Sequence, residues 1–586
     1  MPTLAAIFLS LLLIVANSVA QTHLPYAKAD ISERQAATHL LERFAFGPRP
    51  GEIDQVVGMG VDVWFEKQMS GNLSGSELDT RLSPFQSLGM SAREIVDTYP
   101  RYGIVRSQAY REGAIVRNDS TMDKSELRKK IRAFAKEKGY RPHSKLTNEL
   151  LAQKLIRAVY SENQLVEVLT DFWFNHFNVS IKDNQARAWV MSYERDAIRP
   201  HVLGRFRELL GATAKHPAML FYLDNAQSTA PNKSLSKNAK RRTRIRRQAK
   251  ENRGQMEMAA PSPKKRSKRG INENYARELL ELHTLGVEGG YTQKDVVEVA
   301  RAFTGWTVYQ ERFRKQMNRK PRAFVREGEF LFRAGAHDAE EKFILGRKFP
   351  AGGCIGEGER VLDIVAQHPS TARHLSYKLA VRFVSDNPPE SLVERLTQTF
   401  LKTDGDIRTL IHTIAYSPEF WEAAKQRTKT KTPFELAVSA LRALKADVKN
   451  PRSTLQWIAR MGQPLYACQP PTGYPDYAEA WINAGTLLNR MNFGMSLASG
   501  RIRGVVVNLP AVKQRPQSES VNTVLEICAT LLMPERDLSE TLGQLAPIIQ
   551  TQPTNTFKRK VSKKQKDNAV AQMVGVVLGS PEFQRH

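Results

Sequence analysis

The sequence predicts a mainly helical fold built from short capped helices, with few short strands and one long basic insertion. Three observations predict it. Apolar residues recur at steps of three and four, as Val296, Val299, Phe303 and Trp306 and again as Leu375, Leu379 and Phe383, the spacing of one helix face. Capping boxes mark helix starts at Ser32–Gln35, Ser161–Gln164 and Thr292–Asp295, where two side chains satisfy orphan backbone N–H groups reciprocally. Period-two alternation is rare, with residues 324–331 and 502–507 its best instances.

From the N-terminus, an apolar run from Leu4 to Ala16 precedes Ser18-Val19-Ala20, with small residues at the −3 and −1 positions of a cut before Gln21. Residues 1–20 therefore read as a signal peptide, although no Lys or Arg precedes the run. The run is too short to span ~30 Å of hydrocarbon comfortably, and no other stretch is long enough. The expectation is a soluble protein exported to the periplasm or the exterior. Residues 21–30 read as a linker, 31–510 as the main helical domain, and 511–586 as a C-terminal helical segment. A short echo links Ile414–Phe420 with Val577–Phe583. In both, an apolar helix stops at Ser, and Pro opens the next turn, where its missing N–H costs nothing.

Hydrophobic residues make up 41% of the chain, enough for a core and unlike a disordered protein. The net charge of +27 is concentrated. Lys233 to Arg269 holds 15 basic and two acidic residues, Arg128 to Lys145 eight and one, and Lys558 to Lys566 six and none. The body is near neutral and carries basic appendages. Residues 232–270 lack apolar periodicity and carry Pro261 and Pro263, so they are expected to be a disordered loop insertion. Its Arg241, Arg242, Arg246, Arg247, Lys264 and Lys265 suit contact with polyanions. In the envelope these are lipid headgroups, acidic glycans or extracellular DNA, bound by counterion release. A solvated linker is the plainer reading. Cys354, Cys468 and Cys528 allow at most one intramolecular disulfide, Cys354 with Cys468, or three free thiols.

Candidate chemistry falls on a few residues. His176 follows Leu165, Val168, Leu169, Phe172 and Trp173 at helical steps, which puts it on an apolar face as a hydrogen-bonded core histidine or a ligand. Asp171 and Asn175 point elsewhere. In the segment 272–285, Glu278 and Glu281 share a face with Asn274, while His283 sits with Leu279 and Leu280. His176, Glu278, Glu281 and His283 together would suit a divalent metal. An exposed face laced by i,i+4 pairs, Arg277 with Glu273 or Glu281, accounts for the carboxylates equally. His216, Asp224, His337 and Asp338 fit caps or turns as well as sites. The proline-rich loop 469–476, with Tyr474, Tyr477 and Trp481, offers a sugar or peptide platform, or a lid packed on its own core. No GxSxG, GxxxxGK[ST], HExxH or CxxC spacing is present, which disfavours acyl-transfer and nucleotide chemistry.

Four stretches carry a family likeness: HLLERFAFGPRPGE from His39, DFWFNHF from Asp171, NENYARELLELHTLGVEGGYTQKDVVEVARAFTGW from Asn272, and PPTGYPD from Pro470. Through them the sequence resembles the bacterial exported family catalogued as domain of unknown function 1800. The resemblance runs from about Thr38 to the C-terminus. It implies export, a mostly helical fold and, as a partner, a co-encoded exported protein resembling the sulfatase and phosphatase superfamily. It implies no established activity. Two functional readings follow. The first is a non-catalytic envelope or extracellular protein docking a partner or an anionic polymer; the alternative is a metal-assisted envelope hydrolase or oxidoreductase.

Overall fold

The computed structural model describes residues 23–116, 123–231, 270–507, 520–550 and 563–586. The expected signal peptide, the basic insertion up to Arg269, and residues 558–562 of the last basic run lie outside the described residues. Helices make up most of the described chain, as predicted. Those that position the interior are α1 (Glu33–Arg43), α2 (Tyr102–Arg111), α3 (Lys124–Glu137), α4 (His143–Tyr160), α5 (Gln164–His176), α6 (Gln293–Ala302), α7 (Pro369–Phe383), α8 (Pro433–Ala443), α9 (Ala484–Ala498) and α10 (Lys563–Gly579).

Ser32 and Thr292 close the expected capping boxes on α1 and α6. The third box does not form. Asn163 occupies the N-cap of α5 without a side-chain cap, and Gln164 turns inward, donating to the Ser161 carbonyl at 2.7 Å and accepting from the Phe46 N–H at 3.3 Å. A partner 118 residues away thus outcompetes the local one. Val296, Val299, Phe303 and Trp306 are all fully buried. However, the helix stops at Ala302, and Trp306 opens a strand.

That strand, β1 (Trp306–Val308), belongs to a three-stranded antiparallel sheet with β2 (Phe324–Glu327) and β3 (Phe330–Arg333) in the order β1-β3-β2. Trp306 faces Phe332, and Phe324 faces Arg333. Residues 324–331, read above as one alternating stretch, are therefore a hairpin turning at Gly328, whose φ is +56°. Of residues 502–507, only Val505 and Val506 pair, with Val448 and Asp447.

One contiguous apolar core runs from Leu24 to Phe583 and includes the C-terminal helices. Phe44 stacks on Phe420 at 5.1 Å and meets Phe383 at 5.3 Å. α9 and α10 cross where each offers a glycine. A Cβ at Gly575 would lie 2.9 Å from the Met495 Cα, and one at Gly494 would lie 2.9 Å from the Leu578 Cβ, so only glycine lets the backbones approach this closely. Arg442 on α8 is buried and fully used. It donates to the Gly47 carbonyl at 2.7 Å, to the Val159 carbonyl at 3.2 Å, and to Glu52 at 2.9 Å. The first of the four stretches, around Gly47 to Glu52, is thereby clamped to the core. A satellite core of Val105, Ala109, Ile115, Ile131 and Phe134 holds α2 against α3. All three cysteines are free thiols, and Cys528 is buried as its apolar neighbours suggest.

Candidate functional site at the end of helix α5

The two faces of α5 lead to two different environments. On one, Leu165, Val168, Leu169, Phe172 and Trp173 are buried together with His176, as the spacing predicts. On the other, Asp171 accepts from the Lys154 ammonium at 2.6 Å, and that ammonium lies 4.8 Å from the centre of the Tyr466 ring. One turn later, Asn175 accepts from the Tyr474 N–H and donates to the Tyr474 carbonyl, both at 2.7 Å. Asn178 donates to the Pro470 carbonyl at 2.8 Å. The proline-rich loop is therefore pinned onto the end of α5. Gly473 makes this possible: its φ is +73°, and a Cβ there would sit 2.3 Å from the Asn175 carbonyl oxygen.

The loop aromatics mostly serve this packing. The Tyr474 hydroxyl donates to the Pro464 carbonyl at 2.7 Å, and the Trp481 indole donates to the Pro475 carbonyl at 3.1 Å. Trp481 is only 5% exposed, and of the three expected platform rings only Tyr477, at 49%, faces solvent fully. Beneath the loop lies a small pocket whose wall includes Lys154, Asp171, Arg382, Gln463, Tyr466 and Asp476. Arg382, on α7, pairs with Glu435 on α8.

Behind the pocket, the His176 Nε2 donates to the His283 carbonyl at 3.1 Å. The His176 ring centre lies 6.2 Å from that of His283 and 6.3 Å from that of His374. His176 Nδ1, His283 Nε2 and His374 Nε2 are buried with no hydrogen-bond partner among the described residues. Burial, reinforced by the Lys378 ammonium, holds His176 well below the usual histidine range and pushes His283 down to about 3 and His374 to about 4. Burial also lowers Lys378 to about 8, with Asp476 opposing it.

His283 belongs to a π-helical turn, Leu279–His283, that continues the α-helical segment Asn274–Glu278. A second π-helical turn, Tyr193–Ile198, delivers Glu194 to the Tyr466 hydroxyl beside the pocket. Such widened turns gather at functional sites. Glu278 and Glu281 are both half-buried, on either side of the start of the π-helical turn. Burial and then Glu281 raise Glu278, while Glu281 accepts from the Tyr291 hydroxyl at 3.4 Å and Arg277 approaches Glu273 at 3.6 Å. The structure thus brings His176 and His283 together, adds His374, and joins neither carboxylate to them. Among the described residues, no three His, Cys, Asp or Glu side chains stand at metal-binding separations.

The remaining candidates have structural posts. His216 caps the helix Pro217–Tyr222, accepting from the Ala218 N–H at 3.1 Å, and burial pushes it down to about 3. Asp224 is a left-handed turn residue whose carbonyl accepts from the Gln227 N–H at 3.1 Å. His337 Nδ1 donates to the Thr304 carbonyl at 2.9 Å, and its Nε2 lies 3.2 Å from Glu357, which also holds Lys342 at 2.6 Å. Asp338 accepts from Arg301 at 2.9 Å. Sequence reasoning missed Lys154, Arg382, Gln463, Tyr466, His374 and Lys378. His374, Lys378 and Arg382 recur at four-residue steps on α7, a signal of one shared face, whereas Lys154 on α4 and Gln463 and Tyr466 in a loop carry no local mark of the site.

The arrangement defines a helical protein whose chemistry-bearing side chains converge on the end of α5, with a polar pocket on one side and a buried histidine cluster on the other. Residues 39–585 match the family described as "Protein of unknown function (DUF1800)", and the chain belongs to that family. No curated protein and no solved structure matches it. Of the four stretches by which the sequence resembles the family, two (171–177 and 470–476) supply part of the pocket wall, and a third supplies His283.

Proposed function

We propose that this is an exported, non-catalytic protein that docks an anionic polymer or headgroup of the cell envelope through its basic surfaces. The observation that carries this reading is α3. Its Ile131 and Phe134 are buried against α2, while Arg128, Lys129, Lys130, Arg132 and Lys136 all face solvent. Only Lys130 of these five has an acidic partner in the described structure, Glu126 at 3.6 Å. The other four, Arg128, Lys129, Arg132 and Lys136, are free to bind phosphate- or carboxylate-bearing polymers by releasing their counterions. The basic runs at 233–269 and 558–566 add to the positive charge of the chain. An acidic face on the co-encoded exported protein implied by the family resemblance would fit the same surface. Among the described residues no helix is long and apolar enough to cross a membrane. Export itself rests on residues 1–20, and N-terminal sequencing of native material should begin at Gln21.

The test is affinity for heparin and for duplex DNA as a function of salt. Charge reversal at Arg128 and Arg132, and separately deletion of residues 233–269, should weaken binding and flatten the salt slope, by ~0.9 per lost phosphate contact on DNA. Salt-independent binding, or unchanged binding in both variants, overturns the reading. The alternative reading, a metal-assisted hydrolase or oxidoreductase, would need His176, His283 and His374 to draw closer than they stand, because no three such side chains are at metal-binding separations among the described residues. Metal analysis of untagged protein decides it: stoichiometric metal lost in His176→Ala supports it, and metal-free protein overturns it.

A further inference from the structure

The pocket beneath the proline-rich loop has no role in the docking reading, and its chemistry is distinctive. Asp171 uses one carboxylate oxygen on Lys154, and its side chain remains 22% exposed. Asp476 stands 3.8 Å from Lys429 and remains 28% exposed. The Arg382 Nη1 is taken by Glu435, and among the described residues no other group is recorded on its remaining N–H groups. The Gln463 Oε1 accepts from the Phe434 N–H at 2.8 Å, which turns its amide nitrogen free. Phe172, Phe174 and Leu465 supply apolar wall between these groups. The free volume is about 50 Å³, room for a few waters or one edge of a ring, and too little for a polymer segment.

We propose that this pocket binds a neutral, multiply hydroxylated ligand, the edge of a single sugar ring. The argument lies in how the charges are already committed. Lys154 is held by Asp171, Arg382 by Glu435, and Lys429 by Asp386 at 2.8 Å. A charged ligand would compete with these pairs for the same sheltered groups and weaken the compensation of a partner, which is costly. A hydroxyl can bridge a pair as it stands, accepting from the cation and donating to the free carboxylate oxygen. Two carboxylates, an amide nitrogen and a guanidinium offer such bridges to adjacent hydroxyls, and the apolar wall meets the C–H face of the ring. The pinned loop places Asp476 over the pocket before any ligand arrives, so little ordering entropy is lost on binding. This inference does not depend on the docking reading, because it uses different residues and a ligand of different charge.

The experiment is a titration of the full chain with glucose and N-acetylglucosamine, with glucuronate and glycine as charged comparisons, followed by calorimetry and by melting temperature. Polyols also stabilise proteins without binding, by exclusion from the surface. That effect does not saturate and is shared by all variants. The expected result is a saturable response to at least one neutral sugar. Asp476→Asn should weaken its affinity roughly tenfold, the worth of one charge-assisted hydrogen bond, and is compared as the folded protein. Asp171→Asn should weaken it as well, and its sugar-free melting curve reports whether it has folded. A saturable response to glucuronate or glycine alone, no saturable response to either neutral sugar, or equal affinity in the folded Asp476→Asn protein each overturns the proposal.

Discussion

Replacing Gly473 with alanine tests how the loop is held. The residue has φ of +73°, and an added methyl would lie 2.3 Å from the Asn175 carbonyl oxygen and 2.7 Å from the Asn175 Oδ1. The left-handed conformation costs a non-glycine residue about 1–2 kcal/mol. The contact cannot be relieved by a rotamer change, because the nearest atom is backbone. The loop must lift, and lifting it breaks the two 2.7 Å hydrogen bonds between Asn175 and the Tyr474 backbone, about 1 kcal/mol each. Together this weakens the closed loop by roughly 3–4 kcal/mol, or several-hundred-fold in its opening equilibrium. Hydrogen exchange of the peptide covering residues 469–477 reads this directly through the Tyr474 N–H. Exchange should accelerate by two to three orders of magnitude there and stay unchanged in α9 and α10. Wild-type protection in Gly473→Ala would refute the account of the loop as pinned by close backbone approach.

Three further outcomes follow from the packing. His176, His283 and His374 are all held below the unfolded value of about 6.5, so the unfolded chain binds more protons below that pH. Stability is therefore lost as pH falls from about 6.5 towards 4, by up to roughly 1.4 kcal/mol per pH unit for each histidine; denaturant titrations should show it, and His176→Phe should flatten the slope by one histidine's share. Arg442→Lys should destabilise by about 3 kcal/mol or more, since an ammonium cannot reach Gly47, Val159 and Glu52 together; a smaller loss would show that the fork is dispensable. Gly575→Ala should cost about 1–3 kcal/mol by forcing α9 and α10 apart, read as a lowered denaturation midpoint.

What the sequence reveals is what depends on near neighbours. The helical class, the boxes at Ser32 and Thr292, and the burial of His176 all follow from residues within about two turns. The Ser161 box fails because Gln164 has a better partner in Phe46. One alternating stretch becomes a hairpin because Gly328 permits the turn. The face carrying Asp171 and Asn175 is legible as non-apolar, but not as a pocket wall. That wall is completed by Lys154, Arg382 and Asp476, whose convergence depends on tertiary packing. His374 escapes for the same reason. In sequence nothing joins it to His176, and its place beside that ring and against Gly286 is set by tertiary packing.

The contacts of α1 have a consequence for how the chain acquires its structure. The Glu42 carboxylate accepts from Arg536, and its carbonyl accepts from His586 Nδ1 at 2.8 Å, across 544 residues. The carbonyl of Gln584 takes the Lys431 N–H at 2.9 Å, and Phe583 closes the same apolar cluster that begins near Leu24. During synthesis the first helix emerges hundreds of residues before the groups that shelter its acidic end. At about 5–20 residues per second that interval is roughly half a minute to two minutes. Throughout it, the buried face of α1 waits without its final partners, and the loop closure that rewards it is among the longest the chain makes. Completion of this fold is therefore a late event, and the nascent chain is most in need of protection at the end that appears first.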